Sequence, residues 1–369
     1  MIETAIQPRI GEIFNRLIEN NRLASSYLFY GPPGSGKWQA AVEIAAEILS
    51  RKNSAYDESA AMRVRKLVHP DLMIVFPMPM PKKIKEKPAE KVKEEYIEHF
   101  IRSKIAEPYL PVEFEQVSNI LVQNVKAFQK NLYKYPVEGK YRVGIFEKAE
   151  TMPRNSFDIL LKTIEEPPPN SLLMLLTDNF DRMPETIRSR CQKIRFKRVS
   201  PDFIKDYLVR GRDLDETRAD LVTSLASGSI SRAEQLMQSD FFEERDTAIM
   251  LLGYLLSHPL QSFWMEFLGL VNLRDKARLE NLLTIWQTFY HDIAILLGEG
   301  EEAHIINKDQ LKALRKLAGR VREFENARMG LGNLLAMQKL GYRNINPVPA
   351  MFETAQRLKS HQPPIEIRD

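Results

Sequence analysis

The chain has 369 residues, one cysteine and a formal net charge of +4. Its length exceeds one ordinary hydrophobic core, so we predict two or three domains. A single cysteine excludes an internal disulfide and a cysteine-based zinc module built by this chain alone. Neither a run of eighteen apolar residues nor a signal-peptide pattern occurs, so we expect a cytoplasmic protein without a membrane partner. The mild positive charge permits contact with nucleic acid but does not indicate it.

The first strong motif follows a predicted strand at Ser26 to Tyr30. The strand runs into GPPGSGK, and a predicted helix follows. Strand, glycine-rich loop and helix form the context that a P-loop requires. Gly31, Gly36 and Lys37 complete the GxxxxGK spacing, and Gly34 adds a third glycine. In such a loop the backbone amides hold phosphates and the lysine reaches the outer ones.

The residue after the P-loop lysine departs from the pattern. A serine or threonine hydroxyl normally binds magnesium there, but this chain has Trp38. An indole offers no oxygen to the metal and crowds the site. Two interpretations stay open: the loop binds ATP or ADP without hydrolysis, or it is an inherited loop that only shapes the fold.

A charged insert lies further along the chain, after the helix that follows the P-loop. Pro77 to Tyr109 mixes Lys and Glu with scattered Pro, which predicts a solvated excursion, part helix and part mobile. The lysines from Lys82 to Lys93 can reach DNA or an acidic partner, although the interleaved Glu favours a plain solvated surface.

Before the insert, we interpret His69 as a loop or strand-cap histidine rather than a metal ligand. After it, Val112 to Tyr133 is predicted to be an amphipathic helix that follows an N-terminal turn, and its apolar stripe is Val117, Ile120, Leu121, Val125 and Phe128.

Arg142 to Phe196 alternates apolar strands with helices. RVGIF is short and apolar enough to be a buried strand, and the next segment has helical spacing until Pro167 to Pro169 stop it. LLMLLT (Leu172 to Thr177) is a second buried strand, and a short helix through Ser-Arg-Cys leads to a third. This alternation predicts a parallel sheet covered by helices.

LLKTIEEPPPNSLLMLLTD and RSRC resemble the core of bacterial clamp-loader subunits, including the small subunits of DNA polymerase III. The resemblance covers nearly the whole chain apart from the insert at about 77–109. It implies an AAA+ α/β P-loop domain at 1–198, a three-helix lid domain at 199–240 and an all-α collar for oligomerisation at 241–369. Many family members carry a four-cysteine zinc module near Arg51 to Arg65. Its cysteines are absent here, so we expect neither zinc nor another bound metal.

The resemblance also indicates which residues stand at the catalytic positions. A working ATPase of this class ends the strand with Asp-Glu, which orders magnesium and polarises the attacking water. Here Glu147 and Lys148 occupy those positions. Glu147 can still face a metal through water, but a charged lysine cannot act as a general base. Together with Trp38, this degenerate pair predicts that the chain does not hydrolyse ATP by itself.

Three further residues take roles from the resemblance. Thr177 ends the strand that senses the γ-phosphate in the family, and here we treat it as positional. Arg232, in GSISRAEQL, would face a nucleotide, although a salt-bridged surface arginine is the alternative. Arg190 of Ser-Arg-Cys is implied to be an arginine finger that enters the ATP site of a neighbouring subunit. Its alternative is a surface arginine in a basic helix, and Cys191 beside it is interpreted as a small packed residue.

Degraded nucleotide motifs with a retained Ser-Arg-Cys resemble delta-prime clamp-loader subunits. The implied function is a largely non-hydrolysing ring subunit that supplies its finger to a motor ATPase while the sliding clamp is loaded onto primed DNA. The implied partners are the motor and delta subunits, the sliding clamp, and primer–template DNA through the complex. Two alternatives stay open: a catalytically active gamma/tau-type ATPase, or a non-hydrolysing adaptor that binds nucleic acid or a partner through the insert.

Overall fold

A computed structural model describes the chain at residues 6–52, 55–81, 88–114, 116, 118–238, 241–272, 275–298, 304–341 and 347–364. It forms two compact units: the first comprises Met1–Glu216 and Ala226–Gln235, the second Thr217–Leu225 and Leu236–Asp369. The domain boundaries expected from the sequence, after residues 198 and 240, stay a prediction. Within the described residues, no helix combines the length and apolar character needed to span a bilayer.

Helices occur in both units. In chain order they are α1 (Pro8–Glu19), α2 (Lys37–Ser50), α3 (Glu58–Arg65), α4 (Ala89–Ala106), α5 (Val122–Leu132), α6 (Arg154–Glu165), α7 (Glu185–Arg190), α8 (Pro201–Asp206), α9 (Glu216–Ala226), α10 (Ile230–Gln238), α11 (Phe241–Ser257), α12 (Leu260–Leu270), α13 (Lys276–Leu297), α14 (Leu311–Val321), α15 (Phe324–Gly341) and α16 (Pro347–Ser360). A π-helical turn, Tyr207–Gly211, follows α8 directly.

The first unit is built on a five-stranded parallel sheet. Its strands in spatial order are β4 (Leu72–Val75), β5 (Arg142–Phe146), β6 (Ser171–Thr177), β1 (Ser26–Tyr30) and β7 (Gln192–Arg195). A separate antiparallel pair consists of β2 (Arg51–Lys52) and β3 (Ala55–Tyr56). The interior strands β5 and β6 are buried along their whole length, as expected when helices cover both faces of a parallel sheet. The predicted α/β fold with its helical C-terminal part is confirmed.

Alternation along β6 builds two cores, one on each face of the sheet. Leu172, Met174 and Leu176 join one cluster, whereas Leu173 and Leu175 join the other. This is the period of two that an extended chain imposes on its side chains. The first cluster contains the aromatic side chains of α1, β1 and the P-loop helix; the second contains those of α5 and α6.

The charged insert is helical in part, as predicted, but the described helix packs into the core on one face and is not solvated all round. Its second half is α4, an 18-residue helix that buries Val92, Phe100 and Lys104. The Phe100 ring stacks on Phe76 at 3.7 Å between centroids, inside the first core. Burial of these side chains outweighs the surrounding charges, which lie on the outer face. Residues 82–87, which hold most of the predicted lysine cluster, lie outside the described residues.

The helix predicted after a turn in Val112 to Tyr133 begins later than its apolar stripe indicated. The observed helix, α5, begins only at Val122. Leu121 before it is extended, and Asn119 forms an antiparallel bridge with Met78. Ile120 is buried in the second core from this extended segment, so a tertiary contact overrides the helical periodicity. Val117 of the predicted stripe lies outside the described residues.

The second unit is helical throughout its described part. Trp286 of α13 is buried, and its indole N–H donates to the carbonyl oxygen of Ala248 at 2.9 Å. Helices α13 and α15 approach closely at Gly330, where a Cβ atom would lie 2.2 Å from the Tyr290 ring. A glycine there is therefore required by packing rather than by backbone conformation.

The Asp71 carboxylate fixes the turn that precedes β5. It is fully buried and accepts backbone N–H bonds from Val137 at 2.7 Å, Glu138 at 2.8 Å and Gly139 at 3.2 Å. His69 accepts the Asp71 N–H at its Nδ1 atom, at 3.1 Å. This contact agrees with the interpretation of His69 as a loop histidine. His69 and Asp71 together hold the turn that leads into β5.

We expect Asp71→Ala to destabilise the first unit by about 3 kcal/mol, because buried N–H groups would lose their acceptor. Chemical denaturation followed by far-UV circular dichroism measures the loss. The exposed Asp158→Ala is the control and should change the free energy of unfolding by less than about 0.5 kcal/mol. A loss of the control's size in Asp71→Ala would show that water replaces the carboxylate without cost.

Candidate functional site

The P-loop connects β1 to α2 at the carboxyl end of the sheet. Gly34 and Gly36 have φ values of +70° and +85°, in the left-handed region that glycine adopts without strain. A Cβ atom at Gly34 would lie 2.1 Å from the Ser229 hydroxyl oxygen. The loop conformation predicted from GxxxxGK is therefore present, and its middle glycine is also required by a neighbouring segment.

The chain itself covers the P-loop on two sides. The N–H of Ile230 donates to the carbonyl oxygen of Gly34 at 3.1 Å. The amide of Gln7 donates to the carbonyl oxygen of Ser35 at 3.3 Å. Ser35 is fully buried as a result. The loop backbone is thus held by residues that precede α1 and by the start of α10.

Lys37, the P-loop lysine, has its ammonium group surrounded by oxygens of the protein. Its Nζ donates to the carbonyl oxygens of Gly31 at 2.9 Å and Pro32 at 2.7 Å, and to Ser35 Oγ at 3.2 Å. It also forms an ion pair with Asp178 at 2.7 Å. An ammonium has three protons to donate, so a phosphate oxygen must displace one of these partners to bind Lys37.

Trp38 packs against the insert helix. Its ring lies edge-on to Phe100 at 5.5 Å between centroids, and the Lys104 ammonium lies 5.1 Å from the Trp38 ring centroid. Lys104 is only 5% exposed, and its Nζ forms an ion pair with Glu147 Oε1 at 2.8 Å and donates to the Leu110 carbonyl oxygen at 3.0 Å. Sequence reasoning missed Lys104. Its signal was the position four residues after Phe100, on the same helix face.

The residues at the magnesium positions do not fit that ion. Magnesium requires near-octahedral oxygen ligands. Trp38 supplies none, and the Oε1 atom of Glu147 is already paired with Lys104, which leaves only its buried Oε2 atom without a hydrogen-bond partner among the described residues. Among the described residues, no group of three or more His, Cys, Asp or Glu side chains is placed to hold a metal.

The ends of β5 and β6 are occupied by local turn contacts. Lys148 follows β5 with a left-handed φ of +50°. The Thr177 hydroxyl donates to the carbonyl oxygen of Asn179 at 3.0 Å and accepts the N–H of the same residue at 3.1 Å. The next N–H, of Asp178, donates to Glu150 at 3.3 Å. Thr177 thus serves its own turn, and its positional role stays a prediction.

Glu150 is another residue that sequence reasoning missed. Burial raises the pKa of this side chain above its ordinary value. Its Oε2 atom is buried and has no hydrogen-bond partner within the described part of the chain. Only the fold brings it beside Asp178, so no local pattern could have indicated it.

Arg190, the predicted finger, lies on the surface at the end of α7. Its Nε forms an ion pair with Glu165 Oε1 at 2.6 Å, and its Nη1 donates to the Thr186 carbonyl oxygen at 3.3 Å. The side chain is 42% exposed. The next residue, Cys191, is buried, and burial raises the pKa of its thiol to about 12. These partners belong to α6 and α7, so the structure does not bring Arg190 into the chain's own P-loop cluster.

Arg232 lies in the first turn of α10, beside the P-loop. Its backbone N–H donates to the Ser229 hydroxyl at 3.2 Å, and the same turn contributes Ile230 to the contact with Gly34. The backbone of Arg232 therefore lies in the turn that contacts the P-loop, and its role towards a nucleotide stays a prediction.

The order of the parallel strands, the P-loop after interior strand β1 and the helix-covered faces define an AAA+ P-loop protein. A family model described as "DNA polymerase III, delta subunit" matches residues 6–200, more than half of the 369-residue chain. The chain belongs to this family of DNA polymerase III subunits. The resemblance to bacterial clamp-loader subunits is thereby confirmed.

Individual relatives agree with the family. The DNA polymerase III subunit delta' of Bacillus subtilis is 24% identical over 323 residues, which cover 85% of this chain and 84% of the relative. The tau subunit of the same organism is 24% identical over 262 residues, 68% of this chain and 44% of the relative. A solved gamma subunit-related protein from Thermotoga maritima aligns over 95% of this chain and 98% of its own, with 13% identity and a TM-score of 0.44.

We expect Glu150→Gln to raise the melting temperature at neutral pH. The folded protein binds the Glu150 proton more tightly than the unfolded chain, so its contribution to stability is lost as pH rises above the ordinary glutamate pKa of about 4.3. Glutamine removes this loss and keeps an oxygen to accept the Asp178 N–H.

Thermal unfolding of both proteins from pH 4 to pH 8 measures the effect, with the exposed Glu98→Gln as the control. The gain of Glu150→Gln should shrink towards the acid end, where both states of the wild type are protonated. A variant that is less stable than wild type at neutral pH would contradict the inferred desolvation of Glu150.

Proposed function

We propose that the chain is the delta-prime subunit of the DNA polymerase III clamp loader. In this function it hydrolyses no ATP by itself and supplies Arg190 to the ATP site of a neighbouring motor subunit. The assembled complex opens the sliding clamp and closes it on primed DNA. Two observations together carry the proposal. Arg190 is exposed and held in one orientation. Lys37 of the P-loop is bound by oxygens of the protein, and Glu147 is paired with Lys104.

The setting of Arg190 suits a group that acts on a neighbour's phosphates. The Nε–Glu165 ion pair and the bond to Thr186 orient the guanidinium without burying it. A guanidinium offers a planar set of donors that matches a phosphoryl group, and it keeps its charge at any physiological pH. Buried Cys191 anchors the end of α7 directly after Arg190. The finger would therefore start from a fixed helix end.

The chain's own site supports the absence of hydrolysis. A water-polarising carboxylate is missing at Lys148, and Trp38 removes the metal-binding hydroxyl. The remaining carboxylate, Glu147, is neutralised by Lys104 at 2.8 Å. Each change affects a different requirement of phosphoryl transfer, so reversal of any one of them would not restore the reaction.

The comparison with relatives supports delta-prime over gamma or tau. The delta' relative is matched over 84% of its length, whereas the tau relative of the same organism is matched over 44%. The proposed partners are the motor and delta subunits and the sliding clamp, with primer–template DNA reached through the complex. An independent ATPase is not supported by the site, and the described half of the insert serves the core of its own unit.

We expect Arg190→Ala to lower ATP turnover at the shared site by about 10³-fold or more, because an arginine finger contributes roughly that factor in nucleotide hydrolases. The measurement is ATP hydrolysis by the reconstituted clamp loader with clamp and primed DNA, after gel filtration has shown that the complex assembles. Total turnover should fall by the share of that one site.

Arg188→Ala is the matched control, since Arg188 lies on the same helix and packs over the Phe180 ring at 5.0 Å. It should leave turnover unchanged. Arg190→Lys keeps the charge but loses the planar donor set, so it should rescue little. Unchanged turnover in an assembled Arg190→Ala complex would refute the finger and leave the chain a scaffold.

A further inference from the structure

The insert helix α4 contacts the degenerate magnesium site, and the residues directly after it contact α10. We propose that Lys104 is a built-in cation that takes the place of magnesium, and that α4 holds the P-loop and the lid segment together without nucleotide. The lid segment is defined here as Ala226–Gln235, the part of the lid region that belongs to the first unit. This inference concerns the chain's own site and does not depend on the role of Arg190 in a neighbour.

The first half of the argument is the environment of Lys104. An ammonium buried to 5% exposure is stable only when it is paired and hydrogen-bonded. Lys104 meets this condition through Glu147 at 2.8 Å, the Leu110 carbonyl oxygen at 3.0 Å and the face of the Trp38 ring at 5.1 Å. Glu147 stands at the end of β5, where a working site directs a carboxylate at magnesium. The positive charge needed there is supplied by the chain.

Trp38 belongs to the same arrangement. In place of a hydroxyl ligand for a metal, it presents an aromatic face to the ammonium and an edge contact to Phe100. The substitution at the P-loop and the lysine on the insert are thus complementary. Trp38 takes the place of the oxygen ligand, and Lys104 takes the place of the magnesium ion. Together they form a cation–π contact where a magnesium–oxygen contact is expected.

The second half of the argument lies at the other end of α4. Glu107, the C-cap residue, forms an ion pair with Arg212 at 2.5 Å, and Arg212 also pairs with Glu234 of the lid segment at 2.7 Å. Two residues further, the carbonyl oxygen of Tyr109 accepts the hydroxyl of Ser231. The chain that leaves α4 is therefore bonded to the lid segment by side-chain and backbone groups.

The π-helical turn after α8 completes this contact. Its first residue, Tyr207, packs edge-on against the Tyr109 ring at 5.6 Å and donates its hydroxyl to Glu234. Burial raises the pKa of the Tyr207 hydroxyl, so it stays a donor at physiological pH. π-Helical turns are rare and are frequently found at functional sites.

The contacts form a closed circuit within the first unit. Gly34 of the P-loop bonds Ile230 of the lid segment, the lid segment bonds Arg212 and Tyr109, and α4 returns to the P-loop helix through Lys104 and Trp38. In the AAA+ family the nucleotide lies between the P-loop and the lid arginine. Here the protein's own groups make the connection, so the closed arrangement does not require a ligand.

The first test uses the isolated full-length chain. Lys104→Met leaves Glu147, whose side chain is only 13% exposed, without its partner and should lower the melting temperature by about 6–20 °C. Lys91→Met, an exposed lysine on the same helix, is the control and should stay within about 2 °C of wild type. The double variant Lys104→Met/Glu147→Gln removes both charges and should recover most of the lost melting temperature. It can also be measured if the single variant does not fold.

The second test measures the coupling to the lid segment. Well below all melting temperatures, amide exchange in residues 226–235 should accelerate about tenfold in Lys104→Met and in Glu107→Gln, but not in Lys91→Met. Magnesium with ATP at millimolar concentration should leave the wild-type melting temperature unchanged.

A wild-type melting temperature that rises with magnesium and ATP would overturn the proposal, because the site would then still accept the ion. Equal stability of Lys104→Met and Lys91→Met would overturn it as well. Neither measurement includes a motor subunit. A failure here is therefore distinguishable from a failure of the proposed Arg190 finger.

Discussion

A carboxylate at the end of a buried strand needs a positively charged partner, and the packing of the first unit depends on the residue that supplies it. Glu147 obtains its partner from Lys104, on a helix that is distant along the chain. The pairing fixes the rotation of α4, because Phe100 lies one turn before Lys104 and must then face the same core. Phe76 and Trp38 provide the surface it packs on. An electrostatic requirement thus determines an apolar contact.

The parallel sheet and the P-loop could be predicted because their signals are local. Apolar runs of five to seven residues give β1, β5 and β6, and the proline run that follows Glu166 ends the helix before β6. Glycine spacing gives the loop. The short helix and the strand after it were predicted for the same reason, and they place Arg190 at a helix end.

The remainder depended on contacts between distant segments. The predicted helix begins later than its apolar stripe indicated because Asn119 pairs with Met78 instead, and periodicity carries no information about that partner. Lys104 was hidden by its charged surroundings, since composition averages over a helix and ignores which face is buried. Glu150 acquires its raised pKa from burial that only the assembled fold produces. In each case the deciding interaction joins residues that no local window contains.

Gly34 has a consequence for how such chains are recognised in genomes. The space above its α-carbon is filled by the Ser229 hydroxyl, and its φ of +70° disfavours any side chain. Selection for folding alone would therefore preserve this glycine, even in a lineage that had lost every use for ATP. Gly36, which GxxxxGK does specify, also has a left-handed φ, of +85°. A glycine kept at these positions is therefore not by itself proof that the loop binds nucleotide.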